Sequence, residues 1–151
     1  MSPEKSSTER SPAAAVAELA MRLGRAMEVP GRTAREVAEL VGGPVHDDGA
    51  PLGFRAQPAQ TGVDTVAVTR RWGSEEPDTA EITLDPVLPL ADLEAELGAA
   101  RPVPRAPSGP RRVVLDAGGA GWTVLAALDD GGDGDGEEGD GVRSVTVRRD
   151  S

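Results

Sequence analysis

The sequence predicts an α+β fold in which helices pack on an antiparallel sheet. Two observations lead to this prediction. Apolar residues recur at helical spacing in three segments, and they alternate with polar residues in several others. With two Trp, one Phe and no Tyr, the core must consist mainly of Ala, Val and Leu. A chain of 151 residues is long enough for one small domain of this kind.

The first helix is predicted to begin at Pro12, with Ser11 as its N-cap. An apolar stripe then recurs every three or four residues, and the helix should end near residues 29–30. The members of the stripe are Val16, Leu19, Ala20, Leu23 and Met27.

The second helix has the clearest local signal in the chain. Thr33 and Glu36 form the pattern of a capping box, in which each side chain accepts a hydrogen bond from the other residue's backbone N–H. Gly42 and Gly43 end this helix, and Pro44 prevents its continuation. A third helix is predicted over residues 90–97, with Gly98 after it.

Strands are predicted over residues 63–72, 79–85, 111–116, 122–128 and 142–149, with a further short strand near 52–56. In the first, Val66 and Val68 face one side. The last strand is expected to place Val142, Ser144 and Thr146 on one face and Arg143, Val145 and Val147 on the other. The rest of 45–62 is expected to form turns, and the proline-rich residues 99–110 a linker or strap.

Residues 1–10 are predicted to be a disordered tail, and residues 11–151 a single small domain. This domain divides into possible halves, 11–85 and 86–151. The segment 33–42 resembles 89–98, and 63–71 resembles 142–150, which suggests a degenerate internal duplication. Chance similarity in a sequence rich in Ala, Val, Glu and Arg is the alternative.

The second helix also carries a family resemblance. Gly31, Thr33, Val37, Leu40, Gly42 and Pro44 match the spaced G-T-V-L-G-P positions of a helix motif. This motif resembles that of the SmpA/OmlA-type outer-membrane assembly lipoproteins and of the tandem β-lactamase inhibitory proteins. The resemblance implies helices on a small antiparallel sheet and a function in binding proteins. The lipid-bearing Cys, the aromatic strand and the disulfides of those families are missing.

Charge and composition bear on several classes of function. The net charge of −10 argues against a nucleic-acid binder, which needs clustered positive charge. No apolar stretch is long enough for a membrane span, and no secretory signal is seen, so a cytoplasmic location and no membrane partner are predicted. The absence of Cys excludes thiolate nucleophiles and thiolate metal sites.

No catalytic, cofactor-binding or metal-binding residue is predicted. His46 is the only His, and it is expected in a surface turn without a second imidazole to complete a metal site. The acidic, glycine-rich residues 129–141 suggest Ca²⁺ binding, but their spacing fits no EF-hand loop. A solvated loop is the simpler interpretation.

The candidate interface residues are Trp72, Arg70, Arg71, Arg148 and Arg149. Arg111 and Arg112 form a third pair of this kind. The three arginine pairs, each at a strand edge, could bind an acidic partner or phosphate if the fold gathers them on one rim, or they could protect strand edges from aggregation. Trp72 is a candidate interface anchor, whereas Trp122 is expected in the core.

The sequence therefore predicts a non-catalytic protein- or peptide-binding module, such as an adaptor, chaperone, inhibitor or immunity-type protein. It would act through surface complementarity or through an exposed strand edge. The alternatives are a small accessory subunit of an enzyme complex and an enzyme that uses carboxylates alone. A third alternative is an acidic secretion-type chaperone, for which a homodimer is expected.

Overall fold

The computed structural model describes residues 12–47, 53–58, 62–71, 74–102, 112–116, 121–129 and 141–149. Three helices and eight strands lie within this part of the chain. They are α1 (Pro12–Glu28), α2 (Ala34–Val41), β1 (Val45–Asp47), β2 (Gly53–Ala56), β3 (Val63–Arg70), β4 (Pro77–Pro89), α3 (Leu90–Leu97), β5 (Ala100–Pro102), β6 (Arg112–Leu115), β7 (Trp122–Asp129) and β8 (Gly141–Arg149). The predicted α+β class is confirmed.

The helices begin and end where the local signals place them. The whole predicted stripe of α1 is buried, with every member at most 3% exposed. The capping box of α2 is present: the Glu36 N–H donates to Thr33 Oγ1 at 3.1 Å, and the Thr33 N–H donates to Glu36 Oε1 at 3.0 Å. Gly42 and Gly98 follow α2 and α3, both with positive φ, which an L side chain rarely adopts.

All eight strands form one antiparallel sheet in the order β1-β2-β3-β4-β8-β7-β6-β5. Within each run of four consecutive strands, neighbours in sequence are neighbours in the sheet. The two runs meet where β4 pairs with β8, in the middle of the sheet. The sheet is therefore continuous from one half of the chain to the other.

One side of the sheet contributes to the hydrophobic core together with the buried residues of the helices. Val66, Ile82, Val145 and Ala126 lie side by side on β3, β4, β8 and β7, and all four are 0% exposed. Trp122 lies on this side as well and is 4% exposed, as expected from the sequence. A Cβ added at Gly24 of α1 would overlap the Trp122 ring, so α1 lies directly against this side of the sheet. We call this side the covered face.

Three predictions of local structure are wrong. His46 lies in the short strand β1 rather than in a turn, because its backbone pairs with β2. Residues 100–102 form β5 rather than part of a linker, because they pair with β6. Strand β4 continues past residue 85 to Pro89, since Leu88 and Pro89 pair with the beginning of β8. All three differences result from backbone pairing between strands, which the local sequence does not encode.

The face assignment of Val142 is also wrong. Ala127 pairs with Ser144, but the next pair joins Leu128 to Val142, so the register omits Arg143. This irregularity turns the strand, and Val142 is buried at 0% exposure on the opposite face from Ser144 and Thr146.

The sheet order bears on the suggested duplication. α2 and α3 each precede a run of four strands, so the similar helix segments hold equivalent positions. The similar strand segments do not, because β3 is third in its run and β8 is fourth in its run. The duplication therefore remains a prediction that only the helix pair and the strand order support.

Candidate binding surface

The side of the sheet opposite the covered face carries three rows of registered side chains. The central row crosses all eight strands, and shorter rows lie on each side of it. We call this side the open face. The central row is His46, Arg55, Ala67, Glu81, Thr146, Leu125, Val114 and Arg101. The second row is Thr65, Thr83, Ser144, Ala127 and Arg112, and the third is Thr69, Thr79, Arg148 and Thr123.

Small side chains and hydroxyl groups dominate the open face. Most of them are half-buried by their neighbours on adjacent strands, and Ser144 is 6% exposed. The Thr69 and Thr79 hydroxyls are 2.7 Å apart across β3 and β4, and the Thr79 N–H also donates to Thr69 Oγ1. Threonine fits this position because β-branched side chains pack well on a pleated surface. The result is a low surface of small side chains between the longer charged ones.

A shallow groove of about 270 Å³ lies on the open face, across β4, β8, β7 and β6. The residues that line it include Leu125 on β7, Thr146 on β8 and Glu81 on β4. Arg112 and Arg148 lie at its two ends. Among the described residues that line it, Glu81 is the single carboxylate, and none is a His or Lys.

The charges of the open face differ in sign from those of the chain as a whole. Within the described residues of the three rows, four arginines accompany one acid, Glu81, although the chain carries −10 in total. The four are Arg55, Arg101, Arg112 and Arg148, and each is exposed. No ion pair joins Arg112 or Arg148 to another described residue.

The predicted interface arginines divide into two groups. Arg70, Arg71 and Arg149 gather at one end of the sheet, where β3 and β8 both end beside the first residues of β4. They surround two acids of the β3–β4 turn. Arg70 Nη1 lies 3.3 Å from Glu75 Oε1, Arg149 Nη1 lies 3.3 Å from Glu76 Oε1, and Arg71 Nη1 lies 4.0 Å from Glu76 Oε1.

The side chain of Arg70 is mostly buried within the protein. Its side chain is 13% exposed, and its guanidinium carbon lies 5.2 Å from the centre of the Phe54 ring, a cation–π arrangement. Because its guanidinium group contacts both the Phe54 ring and Glu75, little of its side chain is accessible to a partner. Of the four candidate interface arginines, Arg70, Arg71, Arg148 and Arg149, only Arg148 lies on the open face.

Trp72 and residues 130–140 of the predicted acidic loop lie outside the described residues, and so does the predicted tail 1–10. His46 is exposed in β1 at the edge of the described sheet, several strands from the groove. In the part of the chain that the structure describes, no group of three or more His, Asp or Glu side chains could hold a metal ion.

Sequence reasoning missed Arg55, Arg101 and Glu81 as members of one surface, and it named Arg112 only as one member of an arginine pair. Alternation along a single strand shows which of its residues share a face with each of these four. It does not show which strands lie beside that strand. The strand order that places them in the same row comes from pairing between distant segments. A signal was present for Arg112, which the sequence places next to Arg111 at the start of a strand.

Comparison with known proteins found no matching family model, curated protein or solved structure. The resemblance of the α2 motif to the SmpA/OmlA-type and β-lactamase inhibitory families therefore stays a prediction. None of the helices in the described ranges is long and apolar enough to cross a membrane. The function has to be inferred from the surface itself.

Proposed function

We propose that this chain is a non-catalytic protein- or peptide-binding module whose contact surface is the open face. The observation that carries the proposal is the continuity of that face: its central row crosses all eight strands of the sheet. Protein interfaces need a broad surface of this kind, with a rigid centre and polar groups around it.

The small side chains of the open face support this proposal energetically. Threonine and alanine on paired strands lose little conformational freedom when a partner covers them, because they have few rotamers or none to lose. Leu125 and Val114 add apolar area on β7 and β6, in the part of the central row toward β5. A partner that covers them gains hydrophobic burial without a large entropic cost.

The alternative of a carboxylate-based enzyme finds less support in this groove. General acid and base catalysis by carboxylates needs two such groups near the same reacting atoms. Among the described residues that line the groove, Glu81 stands alone. An accessory subunit of an enzyme complex remains compatible with the proposal, since such a subunit is itself a binding module.

Strand addition at a sheet edge is less favoured than binding on the open face. The edge strands of the described sheet, β1 and β5, have three residues each. Short edge strands offer few backbone hydrogen bonds to an incoming strand, and Pro102 in β5 removes one donor.

The test uses a matched pair of double variants in affinity purification from the organism that encodes the chain. Ala67→Gln with Ala127→Gln places two longer, uncharged side chains on the open face. Ala91→Gln with Ala95→Gln makes the same change on exposed positions of α3. Quantitative mass spectrometry then compares the proteins retained by the wild type and by each variant.

The open-face variant should lose a stoichiometric partner that both the wild type and the α3 variant retain. Equal retention by all three proteins would contradict the proposal, as would loss only in the α3 variant. Thermal unfolding of each variant checks that the fold is intact, so that a lost partner is not the consequence of unfolding.

A further inference from the structure

We propose that the open face binds an acidic protein segment, whose carboxylates pair with Arg112 and Arg148. This inference rests on the proposed function and adds the chemistry of the partner. It starts from the contrast between a strongly acidic chain and the three rows of the open face, in which four arginines accompany one acid. Such a local reversal of sign steers an oppositely charged partner to the surface that carries it.

The positions of Arg112 and Arg148 give the proposal its geometry. Arg112 pairs with Ala127 on β7, which pairs with Ser144 on β8, and Arg148 lies four residues further along β8. Strand spacing and rise place their Cα atoms about 16 Å apart. An extended segment spans that distance in about five residues, so carboxylates about four or six residues apart, which lie on the same side of the segment, reach both guanidinium groups at once.

Arginine suits this role because its planar guanidinium donates two parallel hydrogen bonds to a carboxylate. Arg112 and Arg148 are exposed and have no ion pair with another described residue. They therefore remain able to pair with a partner. Arg70 and Arg149 differ, because Glu75 and Glu76 already neutralise them within the chain.

Glu81 provides a second test of the proposal, because its charge should have the opposite effect on binding. It lies in the central row between Ala67 and Thr146, diagonal to Arg148. Its carboxylate repels an acidic segment that crosses the groove. Removing this charge should therefore strengthen binding, whereas removing the arginines should weaken it.

The binding assay uses fluorescein-labelled twelve-residue peptides with alternating sequence, measured by fluorescence polarisation with the full chain. The first peptide repeats Glu-Thr, and the second repeats Lys-Thr. A labelled single-stranded oligonucleotide of similar length serves as a third probe. The variants are Arg112→Glu with Arg148→Glu on the open face and Arg22→Glu with Arg25→Glu on the exposed side of α1. Both double variants change the net charge equally.

The Glu-Thr peptide should bind the wild type and the α1 variant with similar affinity, and the open-face variant at least about tenfold more weakly. Glu81→Gln should raise the affinity about twofold. Increasing the salt concentration should weaken binding of the wild type, since exposed charges are screened.

Three results would overturn the inference: no preference for the Glu-Thr peptide over the Lys-Thr peptide, an equal loss of affinity in both double variants, or tighter arginine-dependent binding of the oligonucleotide. If the peptide fails while the open-face glutamine variant still loses its partner from the cell, only the acidic chemistry is wrong. If both assays fail, the proposed function itself is wrong.

Discussion

At the scale of single residues, the contact between Gly24 and Trp122 fixes how α1 lies on the sheet. Gly24 lies inside a 17-residue helix that ends at Glu28, where glycine costs about 1 kcal/mol relative to alanine. The indole ring of Trp122 occupies the space that a side chain at residue 24 would need. The glycine is therefore explained by close packing rather than by helix propensity.

This contact predicts that Gly24→Ala destabilises the protein. The overlap with a rigid, buried ring costs roughly 1–3 kcal/mol, which exceeds the gain in helix propensity. The free energy of unfolding, measured by urea denaturation, should therefore fall. In a Trp122→Leu background the same substitution should cost much less or become stabilising. An equal effect of Gly24→Ala in both backgrounds would contradict the contact.

The second feature at this scale is that arginines close together in the sequence have different surroundings in the fold. Arg70 and Arg149 belong to a network with the acids of the β3–β4 turn, whereas Arg148, adjacent in sequence to Arg149, lies on the open face. Alternation along a strand explains the difference, because successive side chains point to opposite faces. Two neighbouring arginines thus belong to different surfaces.

At the scale of elements, β7 and β8 form the hairpin that carries most of the groove. Their registered pairs extend to Asp129 and Gly141. The sequence between them, residues 130–140, holds six acids and no base, so it supplies six of the ten net negative charges of the chain. The remainder of the chain is much closer to neutral, so the overall charge says little about the open face.

Replacing residues 130–140 by the dipeptide Asn-Gly should leave the fold intact. Asp129 and Gly141 are directly opposite each other, which is the geometry that a two-residue hairpin turn requires. The shorter connection should raise the free energy of unfolding by about 1.5 kcal/mol, because less loop entropy is lost on folding. Circular dichroism and urea denaturation measure both effects. Loss of the native spectrum would show that this segment is needed for folding.

At the scale of the whole molecule, β4 and β8 join the two runs of four strands into one sheet. They pair from Thr79 and Arg148 at one end to Pro89 and Gly141 at the other. Ile82 and Val145, directly paired at this junction, are fully buried. The two halves of the sheet therefore share one core across their boundary.

This shared core predicts that neither half folds alone. Residues 1–89 and 90–151, produced separately, should each lack cooperative thermal unfolding, because β4 and β8 would lose their partners and expose apolar side chains. Mixing the two pieces should restore a cooperative transition. A cooperative transition in either piece by itself would instead support two autonomous repeats.

The sequence by itself determined the helices, most of the strands and the alternation of side chains along β3. Pro12, the Thr33–Glu36 capping box and the glycines after α2 and α3 act within a few residues, so their effect is visible locally. Alternation separated Val66 and Val68 from Thr65 and Ala67 for the same reason.

Only the tertiary structure decided the strand order, the short strands β1 and β5, and the irregularity that buries Val142. It also decided that Arg55, Arg112, Arg148 and Glu81 share one face. These features depend on hydrogen bonds between segments far apart in the chain, and no local pattern encodes which segments pair. The acidic composition described the chain as a whole, whereas the pairing of strands placed four of its arginines together on the open face.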